Sequence, residues 1–260
     1  MTMTLPQLPL LYEDSGLLVI DKPAGLVVNR AETVLGATIQ DWMEAQPWFG
    51  TAGSPEAWKD PELVALYKSR SGMVHRLDKD TSGVLLLAKD PVTMIELMRQ
   101  FRDRETEKTY LALVHGKFTV SQGIIKLPLG RSQGDRERFA VDPEGKESET
   151  AYEVVEYFSN APKSIKQKEA RSYQGFSLVR LMPKTGRTHQ IRVHMGFIKH
   201  PLVGDLKYVG RKRSRIDIQW CQRQFLHAEK LCFTNPKDMN RVCYTSSLSV
   251  DLEAVLNALK

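Results

Sequence analysis

The sequence predicts an α+β fold with a large mixed, mostly antiparallel sheet and flanking helices, and three observations carry that expectation. Short runs that read as strands recur along the chain, while helical spacing is confined to a few separate stretches. With 42% apolar and 26% charged residues over 260 positions, the chain can bury a sizeable core in the manner of an ordinary globular protein. No repeat, low-complexity block or clean linker interrupts it, so a single domain over 1–260 is expected.

Taken in order, Leu8 to Asp21 reads as two short strands around the turn Glu13-Asp14-Ser15-Gly16, because Asp, Ser and Gly supply turn chemistry between apolar runs. The second strand leads into Lys22-Pro23-Ala24-Gly25. Thr38 to Glu44 suits a short helix. Gln46 to Arg70 is broken by Pro47, Gly50, Gly53, Pro55 and Pro61 and reads as a loop with a short helix near Pro61 to Tyr67. Trp42, Trp48 and Trp58 lie in or beside it; as anchors they would tie the loop to the core, and as stacking platforms they would meet bases.

Val84 to Ala88 is a continuous apolar run between Ser82-Gly83 and Lys89-Asp90-Pro91, the pattern of a strand buried on both faces. Asp90 then caps a helix with Pro91 at its first position, and Met94, Leu97, Met98 and Phe101 form its core stripe. Arg99, Arg102 and Arg104 occupy the other face, solvated or meeting phosphate. Lys108 to Val114, Gln122 to Leu129, Glu149 to Tyr157 and Gly175 to Met182 read as further strands. The loop Ser159 to Gln174 carries Lys163, Lys166, Lys168 and Arg171; it reads as solvated, with phosphate contact as a second role. Thr188 is expected to cap a helix carrying Ile191, Met195 and Ile198, and Ser249 to Leu259 closes the chain as a helix.

A net charge of +6 and a sequence pI near 9.1 favour a polyanionic partner without specifying one. Cys221, Cys232 and Cys243 cannot all pair and contain no Cys-x-x-Cys, so neither a disulfide frame nor a zinc site is expected, and a reducing cytoplasm fits. His189, His194 and His200 are spaced five and six apart, not the four that sets two ligands on one helical face, so no metal is expected. Met1 to Leu11 lacks the basic start and long apolar run of a leader, and no apolar run approaches the ~18 residues of a membrane span.

The chemistry concentrates around His75-Arg76-Leu77-Asp78-Lys79-Asp80-Thr81-Ser82-Gly83, where charge abuts a buried strand. Asp78 and Asp80 can be read as plain turn formers. A kinase catalytic loop is excluded: it has no Leu inside His-Arg-Asp and needs an Asn five residues after its Asp, where this chain has Gly83. The stretch instead resembles the catalytic signature of the RluA-type RNA pseudouridine synthases. Lys22-Pro23-Ala24-Gly25 is similar to the family's first motif, although a Pro-Gly turn with a solvated lysine reads equally well. Lys108-Thr109-Tyr110-Leu111-Ala112 resembles the second, Thr185-Gly186-Arg187-Thr188-His189-Gln190-Ile191-Arg192 the third, and Phe225-Leu226-His227-Ala228 the last. One departure stands out, since the family has Tyr-Gly after Gly204-Asp205 whereas this chain reads Tyr208-Val209-Gly210, followed by a basic run from Arg211 to Arg215.

The resemblance spans about residues 8–235 and implies isomerisation of uridine to pseudouridine within RNA, with no cofactor. Asp78, Tyr110 and Arg187 are the implied catalytic group. Asp78 attacks the ribose or the uracil or assists departure of the base; Tyr110 contacts the base; Arg187 is expected to pair with Asp78. Such a pair is physically apt, because sealing a carboxylate of reference pKa ~3.9 under a base would raise it and a bidentate guanidinium keeps it charged and aimed. Lys22, His75, Arg76, Thr188, His189, Gln190 and Arg192 are expected to bind substrate, with Arg76 holding the flipped nucleotide and Leu226, or in reserve Phe225, under the base. The expected partner is a ribosomal or transfer RNA stem-loop, and the expected protein is a cytoplasmic monomer with no separate RNA-binding domain and a basic cleft. Two other readings compete with it: a non-catalytic RNA-binding protein, which has no need of the Asp78, Tyr110 and Arg187 set, and an aspartate glycoside hydrolase, which requires two carboxylates flanking one bond.

Overall fold

The computed structural model describes residues 7–32, 34–135 and 137–260; the first six residues of the stretch expected not to be a leader lie outside them. In chain order the elements are β1 (Leu10–Glu13), β2 (Leu17–Lys22), α1 (Ile39–Glu44), α2 (Pro61–Arg70), β3 (Ser82–Ala88), α3 (Pro91–Arg102), β4 (Glu107–His115), β5 (Gln122–Lys126), β6 (Leu129–Arg131), β7 (Phe139–Val141), β8 (Glu149–Phe158), α4 (Gln167–Ala170), β9 (Phe176–Pro183), α5 (Gln190–Phe197), α6 (Arg211–Asp217), β10 (Leu226–Thr234), β11 (Arg241–Thr245) and α7 (Val250–Asn257). Separate strands and helices of this kind make the α+β class expected from the sequence, and every strand pair whose register is defined is antiparallel.

The chain forms two compact units, one running to Glu107 with Ala228–Ser247 added, the other comprising Lys108–His227 and Leu248–Lys260. In the first, the strands run β1-β2-β3-β10 with β11 on β10. Asp14 makes the β1–β2 turn by accepting from the Gly16 and Leu17 amides, both at 2.8 Å. All seven residues of β3 are buried, as the apolar run required, and Gly83 is obligatory there: a Cβ would sit 2.2 Å from the Ala228 carbonyl oxygen. α3 starts as its sequence dictates, with the Asp90 carboxylate accepting from the Thr93 amide and Pro91 in the first turn. Met94 and Leu97 pack with Val84, Leu86 and Phe233 in the core of this unit. Trp58 and Trp48 act as anchors: Trp58 donates to the Ala52 carbonyl at 2.7 Å and meets Tyr67 edge-on, and Trp48 lies 4.7 Å from the Lys89 ammonium.

One expectation is corrected in this unit. Cys232 and Cys243 are bonded to each other, with Cα atoms 4.1 Å apart, because β10 and β11 place them directly opposite. A separation of 11 residues gives no hint of that register. Cys221 is free and buried.

In the second unit the order is β4-β9-β8-β5, with β6 and β7 as a separate two-stranded sheet. One apolar cluster joins Leu111, Phe176, Phe225 and Leu252, and another joins Ala112, Val179, Leu181, Ile191 and Leu226. A second correction concerns α5. It begins at Gln190 with His189, not Thr188, in the capping position, and His189 adopts a left-handed φ of 55° without a side-chain cap bond. Among the described residues, no helix is long and apolar enough to cross a membrane.

Candidate active site

The first unit presents Asp78, half-buried on the turn that feeds β3. Its carbonyl accepts from the Thr81 amide at 3.1 Å, closing the turn. Lys22 holds the turn from beneath. Its side chain is fully buried, and its ammonium donates to the carbonyls of Pro23 (2.8 Å), Leu26 (2.9 Å) and Lys79 (2.9 Å). The Lys79 carbonyl also accepts from the Gly25 amide at 3.0 Å, so the Lys-Pro-Ala-Gly segment and the residue after Asp78 are fixed to one another. A buried cation tolerates loss of water only when such acceptors surround it. His75 is fixed separately. Its Nε2 accepts from the Leu86 amide at 3.0 Å, and its ring stacks on Phe101 at 4.5 Å, so the imidazole joins the signature to both β3 and α3. Arg76 is exposed.

The second unit presents Tyr110 and Arg187. Tyr110 lies on β4 opposite Leu181 of β9 and packs, half-buried, against the apolar cluster that contains Leu226. The two side chains expected to meet the base are thus on one cluster. Phe225, the reserve for Leu226, belongs to the other. Lys108, two residues before Tyr110, donates to the Thr185 carbonyl at 3.4 Å and links β4 to the turn that exposes Arg187.

That turn is built on Gln190, whose amide is committed at both ends. Its Oε1 accepts from the Thr185 hydroxyl (2.7 Å) and the Arg187 amide (3.0 Å). Its Nε2 donates to the Glu149 carbonyl (2.9 Å) and Thr150 Oγ1 (3.0 Å). Behind it stands His194, fully buried, with Nδ1 2.9 Å from Thr150 Oγ1 and Nε2 2.9 Å from Ser148 Oγ and 3.1 Å from the Leu127 carbonyl. Since Ser148 donates to Leu127 at 2.5 Å, only one set of directions satisfies every group: His194 Nε2 donates, and its Nδ1 accepts from Thr150. Burial holds the His194 pKa below the usual histidine value, consistent with that neutral form. A directed chain of donors therefore runs from the Arg187 amide through Gln190 and Thr150 to His194, and the Arg187 Nε donates to the Glu147 carbonyl at 3.2 Å.

The rest of the third motif is also engaged. Arg192 forks onto Asp205 at 2.7 and 2.8 Å, with both groups buried. His189 Nδ1 lies 2.9 Å from the Tyr208 hydroxyl, which accepts from the Phe139 amide of β7 at 3.0 Å. Thr188 is half-buried and Arg187 exposed. The displaced glycine has a simple structural outcome: Gly210 takes a positive φ of 85° one residue late and starts α6.

Sequence reading missed Tyr208, Thr185, Thr150, His194 and Asp205 as supports. The bidentate preference of arginine for carboxylate hinted at Asp205 alone. Among the described residues, no group of three or more His, Cys, Asp or Glu could hold a metal.

The model of the RNA pseudouridylate synthase family matches residues 16–196. The ribosomal large subunit pseudouridine synthase D of Nitrosomonas europaea is 37% identical over 257 residues, covering 97% of this chain and 65% of that protein. Its namesake from Xanthomonas campestris is 35% identical, with 97% and 70% covered. This chain thus spans about two thirds of the length of those relatives. The solved human RNA pseudouridylate synthase domain containing 1 superposes with a TM-score of 0.64 at 25% identity, covering 97% and 94%.

Proposed function

The chain belongs to the RNA pseudouridylate synthase family, and from that premise we propose that it converts uridine to pseudouridine in structured RNA through Asp78. Ribosomal RNA of the large subunit is the first substrate to test, because relatives carry that name; transfer RNA is the second. The observation that carries the reading is the half-buried Asp78, on a turn fixed from below by a buried lysine and leading into a strand with no exposed residue. A group that must act on one atom of a flipped nucleotide needs that preorganisation.

In this reading, the bond from ribose C1′ to uracil N1 breaks, the base turns, and C1′ bonds to C5. The C5 proton leaves to solvent and N1 acquires one, so atoms balance without a cofactor or metal. Asp78 carries the step, by attack on C1′ or the ring or by assisting departure of the base. Tyr110 packs on the base and takes part in proton removal, with Leu226 beneath. Arg187 pairs with Asp78 and keeps it charged, while Arg76 holds the flipped nucleotide. Lys22, Gln190 and Arg192 support the site by holding backbone or Asp205, and His75, Thr188 and His189 complete the substrate-binding set. The enzyme is a cytoplasmic monomer acting on a stem-loop, with 1–260 serving as one catalytic domain.

The test is tritium release from C5-labelled uridine in in vitro transcribed ribosomal and transfer RNA. Wild type is expected to release tritium from one of them, and Asp78→Asn to bind it equally while losing more than the roughly 10²–10⁴-fold contributed by a single acid–base group. Turnover by Asp78→Asn at the wild-type rate would remove Asp78 from the mechanism.

A further inference from the structure

A cationic face at the far end of the second unit has no part in the chemistry above. Lys163, Lys166, Lys168 and Arg171 lie exposed on the segment around α4, and Arg211, Lys212 and Arg215 lie exposed on α6. Arg213, half-buried, donates to the Ser172 carbonyl at 3.5 Å and joins the two segments. Among the described residues, none of these eight cations has a carboxylate partner. Several surface arginines elsewhere are paired with carboxylates: Arg99 with Glu96 and Glu105, Arg30 with Asp41 and Glu44, and Arg241 with Glu107.

The face is also held firmly. Asp217, the last residue of α6, is fully buried and accepts from the Tyr173 hydroxyl at 2.6 Å and the Gly204 amide at 3.2 Å, with His115 Nε2 2.8 Å away. The Tyr173 ring stacks on His115 at 5.5 Å. One carboxylate thereby pins α6, the segment that follows α4, and the end of β4 together. The last turn of α6 carries both Arg215, which suits the dipole, and Asp217, while the first turn runs against the dipole, with Arg211, Lys212 and Arg213 there. Such placement costs about 0.3–1 kcal/mol per charge, and no carboxylate or side-chain cap offsets it. Local rules broken without compensation point to a functional demand.

We propose that this face docks the phosphate backbone of the RNA substrate at a distance from the reacting uridine. The inference rests on the reading of the chain as an RNA-modifying enzyme. His115 ends β4 five residues after Tyr110, which places the face ~17 Å along that strand from the base contact. It therefore grips RNA flanking the target nucleotide. Its contacts add affinity, and the sequence is read elsewhere.

The test compares wild type with the triple variant Arg211→Gln, Lys212→Gln, Arg215→Gln, using fluorescein-labelled ribosomal RNA transcript in anisotropy titrations over a range of salt. These side chains are exposed, so the fold is expected to be kept and its thermal midpoint serves as the check. The slope of log Kd against log salt is expected to flatten by roughly 2–3, at ~0.7–0.9 per phosphate contact. In the tritium assay the loss falls on KM, about tenfold, rather than on kcat. The charge-keeping variant Arg211→Lys, Arg215→Lys retains the wild-type slope, and Arg99→Gln, which removes an already paired cation, leaves it unchanged. An unaltered slope in the triple variant overturns the proposal and leaves the face to an acidic protein. So does a loss confined to kcat, or an equal loss in the Lys variant. If wild type releases no tritium but the triple variant flattens the slope, the docking face stands and the catalytic reading falls.

Discussion

The turn that carries Asp78 and the turn that exposes Arg187 are both immobilised from beneath, but by opposite chemistry. Under Asp78 a single buried ammonium gathers three backbone carbonyls. Under Arg187 a neutral chain of hydroxyls, an imidazole and a carboxamide accepts from one backbone amide and passes directed hydrogen bonds onward. The first support is radial and depends on one residue. The second is serial, so each member can be altered and the others can partly re-form. The first arrangement should be brittle and the second graded.

The largest effect expected of that difference is from Lys22→Met. It leaves three carbonyls without their donor in a buried site, at a cost of about 3 kcal/mol or more, which for a chain of this size lowers the melting temperature by roughly 10 °C. Lys22→Arg is not expected to rescue it, since a planar fork cannot replace a compact ammonium among converging acceptors. Calorimetry of the two variants checks this, and a melting temperature like wild type for Lys22→Met would break the comparison. Gln190→Glu comes next. It keeps the acceptor for the Arg187 amide but sets a carboxylate oxygen against the Glu149 carbonyl. A stability loss of about 2 kcal/mol is expected, with kcat/KM lowered as much as ~100-fold through displacement of Arg187. Retention of activity would show that the Arg187 turn does not need its amide relay.

These supports also mark where the sequence is informative and where it is not. The continuous apolar run of β3, the Asp90-Pro91 start of α3 and the residue types of the exposed turns are local signals, and each led to the observed element. The motifs nominate Asp78, Tyr110 and Arg187, but not what holds them. Lys22 reads equally as a solvated turn lysine or as a substrate-binding motif residue, and neither reading shows it enclosed, because burial is a property of the tertiary fold. Gln190 reads as a substrate-binding residue and His194 only as part of the motif, yet their partners Thr150 and Ser148 come from β8 and the segment before it, some forty positions earlier. The Cys232–Cys243 bond depends on strand register, and α6 on a glycine displaced by one residue. None of these has a local periodicity to reveal it.

Protonation sharpens the comparison with a smaller effect. Burial holds both His194 and His115 below the usual histidine value of 6.5, and both belong to the second unit. The folded state therefore binds fewer protons than the unfolded chain below about pH 6.5; their contribution is complete above that value and is lost as pH falls through the folded values. In the first unit, hydrogen bonds from Arg30 and Arg99 hold Glu44 and Glu96 below the ordinary 4.5. Stability from those carboxylates is lost only at lower pH. Melting temperature against pH should thus begin to fall near 6.5, with an uptake of up to about one proton per histidine on unfolding. His194→Gln should reduce that uptake, and an unchanged uptake would mean that His194 is already charged in the fold.

The mildest test is Tyr208→Phe. It removes one hydroxyl that bonds His189 Nδ1 and accepts from the Phe139 amide, while keeping the ring that lies 5.1 Å from the Arg192 guanidinium. His189 is held at a left-handed φ of 55°, a conformation that costs on the order of 1 kcal/mol and persists only when its surroundings enforce it. A single residue, Thr188, separates it from Arg187, and Gln190 continues to hold the Arg187 amide. A serial support predicts partial loss: about 1 kcal/mol of stability and a severalfold drop in kcat/KM. Abolition of activity with a full melting transition retained would instead make Tyr208 a residue the Arg187 turn cannot lack, and would render the second turn as brittle as the first.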